Sequence, residues 1–143
     1  MNVTRGKKQT KGSSGFNRKN TDDFLAKNSG KPDVKTTPSG LQVLEIEAGS
    51  DDFPSVESTV EVHQRISLLD GTIIDDTYKT GETACFSLEE AIPGYLEGLL
   101  LTGVGGRFRL FVPPDLAWGK RGSGKRIGPN AVLIIDVRLI RII

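Results

Sequence analysis

Apolar and polar residues alternate along most of the chain after Gly40, and this period of two predicts short β-strands. The clearest run covers residues 58–69, where four aliphatic side chains share one face of the predicted strand: Val60, Val62, Ile66 and Leu68. Gln64 falls on the same face and interrupts the apolar stripe. Such a local inconsistency is typical of a functional or strained position, so Gln64 is a candidate site residue.

Five further runs have a strand-like character, at residues 41–47, 72–75, 84–88, 107–113 and 131–143. Asp70-Gly71 separates two of the runs and predicts a hairpin turn. The last two runs each present an apolar face, which comprises Phe108, Leu110, Val112, Leu133, Ile135, Val137 and Leu139. Short connections between such runs suit antiparallel pairing.

Residues 92–101 form the one convincing helix in this strand-rich part of the chain. Pro93 suits the first helical turn, and Tyr95, Leu96 and Leu99 recur at helical spacing. An isolated helix this short is marginal in water, so packing must hold it. The predicted fold class is therefore α+β, with a twisted antiparallel sheet and one short helix on its apolar face.

The amino-terminal part differs in composition from the rest. Residues 1–20 hold six of the 19 basic residues and no acidic one, so we predict a disordered basic tail. Thr21 begins a predicted short helix, and two prolines favour an extended linker after it. The predicted organisation is a tail at 1–20, a short helix and linker at 21–39, and a folded domain at 40–143.

A single cysteine, Cys85, excludes an intrachain disulfide and fits a reducing compartment. Because it lies in an apolar strand-like run, we predict a small buried side chain rather than a reactive thiol. No apolar run approaches the roughly 20 residues that a membrane span needs, and the amino terminus lacks the apolar core of a secretory signal. We therefore expect a cytoplasmic protein that does not associate with membranes.

The sequence gives little support to most catalytic centres. His63 is the only histidine and lies on the polar face of its strand, which argues against a Ser-His-Asp triad. No Cys/His cluster has metal-binding spacing and no glycine run matches a phosphate loop, so neither a metal nor a cofactor is expected. The polar loop at 113–130 contains four cations without interleaved aromatic residues (Lys120, Arg121, Lys125 and Arg126), which favours a solvated loop over a nucleic-acid site.

What remains is an apolar site rather than a reactive one. The amino end of the predicted helix, with Ile92 and Tyr95, the inward face of the sheet and Trp118 of the long loop are candidates to enclose a small pocket. Taken separately, each of these side chains is more typical of plain core than of a pocket.

Four segments, in order and at fitting separations, resemble the FKBP family of peptidyl-prolyl cis-trans isomerases. They read GTIIDDTYKTGE, FSLEEAIPGYLEGLL, VGGRFRLFVPPDLAWGKRG and PNAVLIIDVRLI, and the preceding TTPSGLQ is similar to the entry into the domain of bacterial members. The resemblance covers about residues 36–143. It implies a curved antiparallel sheet of about five strands wrapped on one short α-helix, and it leads us to expect no counterpart of the amino-terminal dimerisation region of longer bacterial relatives.

The resemblance also implies rotation about X–Pro bonds, a reaction with an uncatalysed barrier of about 18–20 kcal/mol. Rotation breaks amide resonance but moves no proton and forms no covalent bond, so a dry pocket that prefers the twisted amide is sufficient. No covalent or acid–base catalytic residue is therefore expected.

Matched position by position, the resemblance assigns a substrate pocket. Asp75 matches the acidic pocket residue of the family, and Ile92 matches the residue whose backbone N–H meets the ligand carbonyl. Tyr95 stands in place of the tryptophan floor, and Trp118 replaces a loop tyrosine. The full predicted pocket comprises Gln64, Ile74, Asp75, Phe86, Ala91, Ile92, Tyr95, Trp118, Ile127 and Ile135.

Several positions depart from the family pattern. Gln64 replaces a tyrosine and Thr80 an arginine, so Asp75 lacks both usual partners, although Gln64 is able to hydrogen-bond it. Ile74 and Ile135 replace phenylalanines. With fewer aromatic edges, we expect a weaker grip on the prolyl ring and weak affinity for macrolide inhibitors.

Three functions remain open from the sequence. The first is a prolyl isomerase that acts on proline-containing peptides or unfolded proteins, with altered activity. The second is a catalytically weak or inactive FKBP-like module that binds peptides or acts as a chaperone. The third is a nucleic-acid-linked or ribosome-linked role through the basic tail and loop, which the composition favours least; we expect a monomer without a nucleic-acid partner.

Overall fold

The computed structural model describes residues 14–119, 121–123 and 127–143. The interpretations of residues 1–13 and of Lys120, Lys125 and Arg126 lie outside the described residues. In chain order the elements are α1 (Ser14–Ser29), β1 (Val34–Thr36), β2 (Gln42–Glu47), β3 (Thr59–Ser67), β4 (Ile73–Asp76), α2 (Thr77–Thr80), β5 (Ala84–Ser87), α3 (Pro93–Leu100), β6 (Arg107–Val112) and β7 (Leu133–Ile142), with 3₁₀ turns at Leu88–Glu90 and Pro114–Leu116.

The strands form one antiparallel sheet in the order β1-β2-β6-β7-β3-β4. β3 pairs with β7 along one edge and with both β4 and β5 along the other. The α+β fold class is confirmed, and across the described residues the sheet has seven strands where about five were expected. The carboxy-terminal strand β7 thus lies in the centre of the sheet, between β6 and β3.

The inner face of the sheet carries the core. The apolar side chains that the alternation predicts to face inward in β6 and β7 are all buried: Phe108, Leu110, Val112, Leu133, Ile135, Val137 and Leu139. Helix α3 packs on this face at short range, since a Cβ at Gly98 would lie 2.3 Å from Leu110 Cδ1. Glycine weakens a helix but here allows its backbone to approach the sheet, so packing holds α3, as the sequence predicts.

Helix α1 covers part of the opposite, outer face. The Phe24 and Phe111 rings lie 5.9 Å apart, Gln42 Nε2 donates to the Leu25 carbonyl at 2.9 Å, and Asn28 Nδ2 donates to Gln42 Oε1 at 2.8 Å. Gln42 and Phe111 are register partners and therefore share this face. The sheet is consequently covered by a helix on each side.

The amino-terminal predictions need correction. Residues 14–20 are helical rather than disordered, because α1 begins at Ser14 and not at Thr21. The predicted linker contains β1, which pairs with β2 at the sheet edge. Cys85 is exposed rather than buried, since it alternates with the core-facing Phe86 along β5.

Candidate substrate pocket

Three polar side chains form a hydrogen-bonded chain beside the core. The Tyr95 hydroxyl donates to Gln64 Oε1 at 2.7 Å, and Gln64 Nε2 donates to Asp75 Oδ2 at 2.7 Å. Asp75 Oδ1 also accepts from the backbone N–H of Asp76 at 3.0 Å. Gln64 therefore bridges the helix to the strand that carries Asp75, and its place on the inward face is explained by two partners rather than by strain.

The Tyr95 ring lies at the base of this region, at the position that the resemblance assigns to the pocket floor. Only 6% of Tyr95 is exposed, against 8% of Gln64, and its ring lies 5.3 Å from that of Phe86 at an interplanar angle of 49°. Burial raises the pKa of Tyr95 well above its usual value, with smaller contributions from Tyr78 and Asp75. The phenol consequently stays protonated and acts as a hydrogen-bond donor to Gln64.

Ile92 caps the amino end of α3 through its backbone. Its carbonyl accepts from the N–H groups of Tyr95 and Leu96, both at 3.0 Å. Within the described ranges, no acceptor is paired with the N–H of Ile92 itself. An open donor therefore stands at the amino end of α3, three residues before the Tyr95 floor.

Most of the other predicted pocket residues pack around this floor. Ile127 and Ile135 belong to the same buried cluster as Tyr95, and four partly buried side chains pack against that cluster: Ile74, Phe86, Ala91 and Ile92. Ile135 is fully buried, so it supports the wall from behind rather than facing a ligand. The structure thus brings together the apolar residues that the resemblance assigned.

Trp118 is placed differently. It is 38% exposed and lies in the stretch from Pro113 to Asn130, whose described residues, 113–119, 121–123 and 127–130, we call the pocket loop. Among the described residues nothing accepts from its indole N–H. Trp118 and Asp75 are thus the exposed members of the predicted set.

Thr80 does not replace the missing arginine. Its hydroxyl donates to the Thr77 carbonyl at 3.4 Å, within α2. The sequence reasoning missed Thr77 itself, whose buried hydroxyl accepts from the Gln64 backbone N–H at 2.7 Å and lies 3.0 Å from His63 Nδ1. No local pattern signalled this role, because residues 77–81 resemble an ordinary polar loop.

The outer face of the sheet carries a charged network around Asp136. Arg107 donates to both carboxylate oxygens, at 2.9 and 3.2 Å, Arg109 donates at 3.1 Å, and the Tyr78 hydroxyl donates at 3.1 Å. Burial alone would raise the pKa of Asp136, but the hydrogen bonds from the two arginines outweigh it and hold this pKa below its usual value. Burial, together with the Asp136 charge, raises the pKa of Tyr78 to about 12.

The inner-face arrangement offers a neutral donor, an aromatic floor and aliphatic walls, which suits a ligand with a carbonyl group and an apolar ring. In the described part of the chain, no group of three or more His, Cys, Asp or Glu side chains is placed to hold a metal ion. The residues present favour binding and distortion of a ligand over bond-making chemistry.

Comparisons with known proteins agree with this geometry. Residues 50–140 match the family model described as FKBP-type peptidyl-prolyl cis-trans isomerase. Residues 2–43 match the model of the domain amino terminal to such isomerases. The expectation that the amino-terminal region of longer relatives has no counterpart here is therefore wrong.

The chain is 42% identical over 126 residues to the outer membrane protein MIP of Legionella longbeachae, covering 88% of this chain and 54% of that protein. It is equally identical to the FKBP-type peptidyl-prolyl cis-trans isomerase FkpA of Aeromonas hydrophila, covering 47% of that protein. The chain thus spans about half the length of the curated relatives it matches.

Two solved structures share the fold. The crystal structure of FkpA from Escherichia coli superposes with a TM-score of 0.86 at 36% identity, covering 90% of this chain and 60% of that one. A peptidyl-prolyl cis-trans isomerase from Pseudomonas syringae pv. tomato superposes with a TM-score of 0.85 at 29% identity, covering 94% and 98%.

Proposed function

Because the chain belongs to the FKBP-type peptidyl-prolyl cis-trans isomerase family, we propose that it catalyses rotation about X–Pro bonds in peptides and folding proteins. The observation that carries the proposal is the open N–H of Ile92 next to the Tyr95 floor. The substrate is any exposed proline-containing segment that fits an apolar pocket.

Catalysis here requires preferential binding of the twisted amide. Twisting removes resonance between the carbonyl and the prolyl nitrogen, and a dry pocket lowers the cost because it contains no water to stabilise the planar, more polar form. In our proposal the Ile92 N–H donates to a substrate carbonyl, and the Tyr95 and Phe86 rings contact the prolyl ring. Gln64 fixes the Tyr95 hydroxyl and Asp75 in one arrangement, so that the floor keeps its orientation.

The replacement of aromatic residues in the predicted pocket determines how tightly we expect it to bind a ligand. Ile74 and Ile135 offer less aromatic surface than the phenylalanines they replace, and Trp118 is exposed. We therefore propose weak binding of macrolide inhibitors and a moderate isomerase rate.

Ile92→Pro tests the carrying observation directly. Ile92 has φ −61° and ψ 151°, and Ala91 before it is extended at φ −78° and ψ 155°. Proline fits this backbone, so the substitution removes the N–H without a change of conformation. Ile92→Ala is the matched control, since it shortens the side chain but keeps the donor.

We expect Ile92→Pro to lower kcat/KM for a proline peptide about tenfold or more beyond Ile92→Ala, as loss of a well-placed donor to a reacting carbonyl does. Equal activity of the two variants, both folded, would show that the N–H plays no part.

The alternative function is a peptide-binding module without useful catalysis. The exposed Trp118 and the smaller number of aromatic residues in the predicted pocket favour it. Proline-limited refolding separates the two functions. Acceleration at amounts well below the refolding protein supports the enzyme, whereas an effect only near equal amounts supports the binding module and contradicts our proposal.

Cytoplasmic location and a monomeric state remain predictions from the sequence. None of the helices in the described part of the chain combines the length and apolar character needed to cross a bilayer. One relative is named as an outer membrane protein, so cell fractionation of the natural protein is the decisive measurement: recovery with the envelope would refute a cytoplasmic location. Sedimentation of the purified chain would test the monomer.

A further inference from the structure

Three neighbouring polar side chains of α1 converge on the far end of the pocket loop. Asn17 Nδ2 donates to the Pro129 carbonyl at 2.8 Å, and Thr21 Oγ1 donates to the Asn130 carbonyl at 2.6 Å. Arg18 Nη2 donates to Asn130 Oδ1 at 3.3 Å. These residues are separated by about 110 positions in the chain, so the contacts tie the amino-terminal helix to a distant loop.

Asn130 is the junction of these contacts. It is 3% exposed and adopts φ +54°, a left-handed conformation that asparagine tolerates better than most residues. Its backbone N–H donates to the Gly119 carbonyl at 2.7 Å. Through Asn130, two successive hydrogen bonds therefore connect helix α1 to Gly119, the residue that follows Trp118.

The described part of the pocket loop connects this junction to the site. The Gly122 N–H donates to the Trp118 carbonyl at 3.2 Å, and the backbones of Ser123 and Ile127 exchange hydrogen bonds at 2.8 and 3.2 Å. Ile127 is buried in the same cluster as Tyr95. The position of the loop thus decides where two predicted pocket residues lie relative to the floor.

Helix α1 also reaches the near end of the loop. Phe24 packs on Phe111, two residues before Pro113, and a cleft of about 510 Å³ separates α1 from Pro113, Pro114 and Asp115. The helix is therefore hydrogen-bonded to the far end of the loop and packs, through Phe24, on the strand that leads into its near end.

We propose that Thr21 is a positioning residue for the substrate pocket, which acts by fixing the pocket loop, and with it Trp118 and Ile127, relative to Tyr95. The effect on catalysis rests on the proposed isomerase function, whereas the effect on the loop does not. Helix α1, which lies in the part matched by the amino-terminal domain model, thus contributes to the site without touching the substrate.

Thr21→Val tests the proposal because it keeps the branched shape and removes only the hydroxyl. Thr102→Val is the matched control: Thr102 is also fully buried and its hydroxyl also donates to a backbone carbonyl, that of Gly98 at 2.9 Å, but at the far end of α3. Thr21→Ser restores a hydroxyl at the same position. The readouts are kcat and KM for a proline peptide, Trp118 fluorescence without peptide, and amide exchange of Asn130.

We expect Thr21→Val to lower kcat/KM about three- to tenfold, the factor that one net hydrogen bond represents, to shift the Trp118 emission and to speed exchange at Asn130. Thr21→Ser should restore all three, and Thr102→Val should change none. Unaltered Trp118 emission and Asn130 exchange in folded Thr21→Val would overturn the proposal, as would the same changes in Thr102→Val. If the native chain is inactive, the proposed function fails, while fluorescence and exchange still decide the role of Thr21.

Discussion

The two faces of the sheet each hold a carboxylate, and they treat it in opposite ways. On the outer face Asp136 is almost fully buried and is paired with two arginines and a tyrosine. On the inner face Asp75 is exposed, and its carboxylate accepts a hydrogen bond from the neutral side-chain amide of Gln64. One face of the sheet thus carries a charged network on β6 and β7, and the other carries a hydrogen-bonded chain that runs from β4 through β3 to α3, beside the open donor at Ile92.

The difference separates stabilisation from binding. A buried carboxylate must be matched by cations, because an uncompensated charge in the interior is costly. Asp75 avoids that cost because it is exposed to water, and the two groups that link it to the core, Gln64 and Tyr95, are neutral, which suits an uncharged amide ligand. The outer network should therefore govern stability and the inner chain should govern activity.

Asp136→Asn should give the largest effect. The change removes the charge that both arginines share, and we expect the free energy of unfolding in urea to fall by about 2–3 kcal/mol. The figure is modest for a buried charge because Arg107 and Arg109 remain partly in water. Isomerase kcat/KM should stay unchanged while the variant is folded.

Glu61→Gln is the control for the outer face, since Glu61 pairs with Arg141 and Thr83 at the surface. It should destabilise the protein less than Asp136→Asn. A loss of activity in Asp136→Asn that stability does not explain would contradict the separation of the two faces.

Gln64→Leu should give a smaller loss of stability and a larger loss of activity. The substitution leaves the Tyr95 hydroxyl and Asp75 without their shared partner, and we expect a cost of about 1–2 kcal/mol in unfolding. It also frees the floor ring, so kcat/KM should fall. Tyr95→Phe removes only the hydrogen bond between the Tyr95 hydroxyl and Gln64. It should therefore lower the unfolding free energy and kcat/KM less than Gln64→Leu does.

Gln64→Glu sharpens the same test because it keeps the shape of the side chain. Two carboxylates at this distance cannot both ionise easily, so one of them acquires a raised pKa in the folded state. Stability relative to the native chain should therefore be best in mild acid and decline as the pH rises above about 5. A pH-independent difference would mean that Gln64 and Asp75 are not coupled in solution.

The smallest expected effect is the change with pH in the stability that Asp136 contributes. The pKa of Asp136 is lowered in the folded protein, so its contribution to stability is present above its unfolded value of 3.8 and is lost as the pH falls through the folded value. The difference in unfolding free energy between the native chain and Asp136→Asn should be constant near neutrality and shrink below pH 3.8. Unfolding by urea at a series of pH values measures it.

Much of the inner face could be predicted from the sequence, because alternation reports directly which side chains point to a core. Helix α3 followed from its leucine spacing. Gln64 was recognisable as a position that breaks the pattern, and its bond to Asp75 followed from the resemblance. The further bond to Tyr95 was not predicted, since it depends on the depth at which α3 lies against the sheet.

Helix α1 shows what the sequence could not supply. It carries no apolar stripe, because it is attached by polar side chains such as Asn17, Thr21 and Asn28 to carbonyl and amide groups far away in the chain. Such contacts have no periodic signature, so the composition suggested a solvated tail. Only the part of the helix from Thr21 onward was predicted, because Thr21 is a helix-capping residue type and so has a local signature.

The central place of β7 has a consequence for synthesis of the protein. The ribosome makes Leu133–Ile142 after the other elements that the structure describes, yet β3 and β6 have no partner on their facing edges until this strand inserts between them. Until then both edges display open N–H and C=O groups and an apolar face, the features that invite association between nascent chains. Substitutions that weaken β7 should therefore lower soluble yield in cells more than they lower the activity of the molecules that fold.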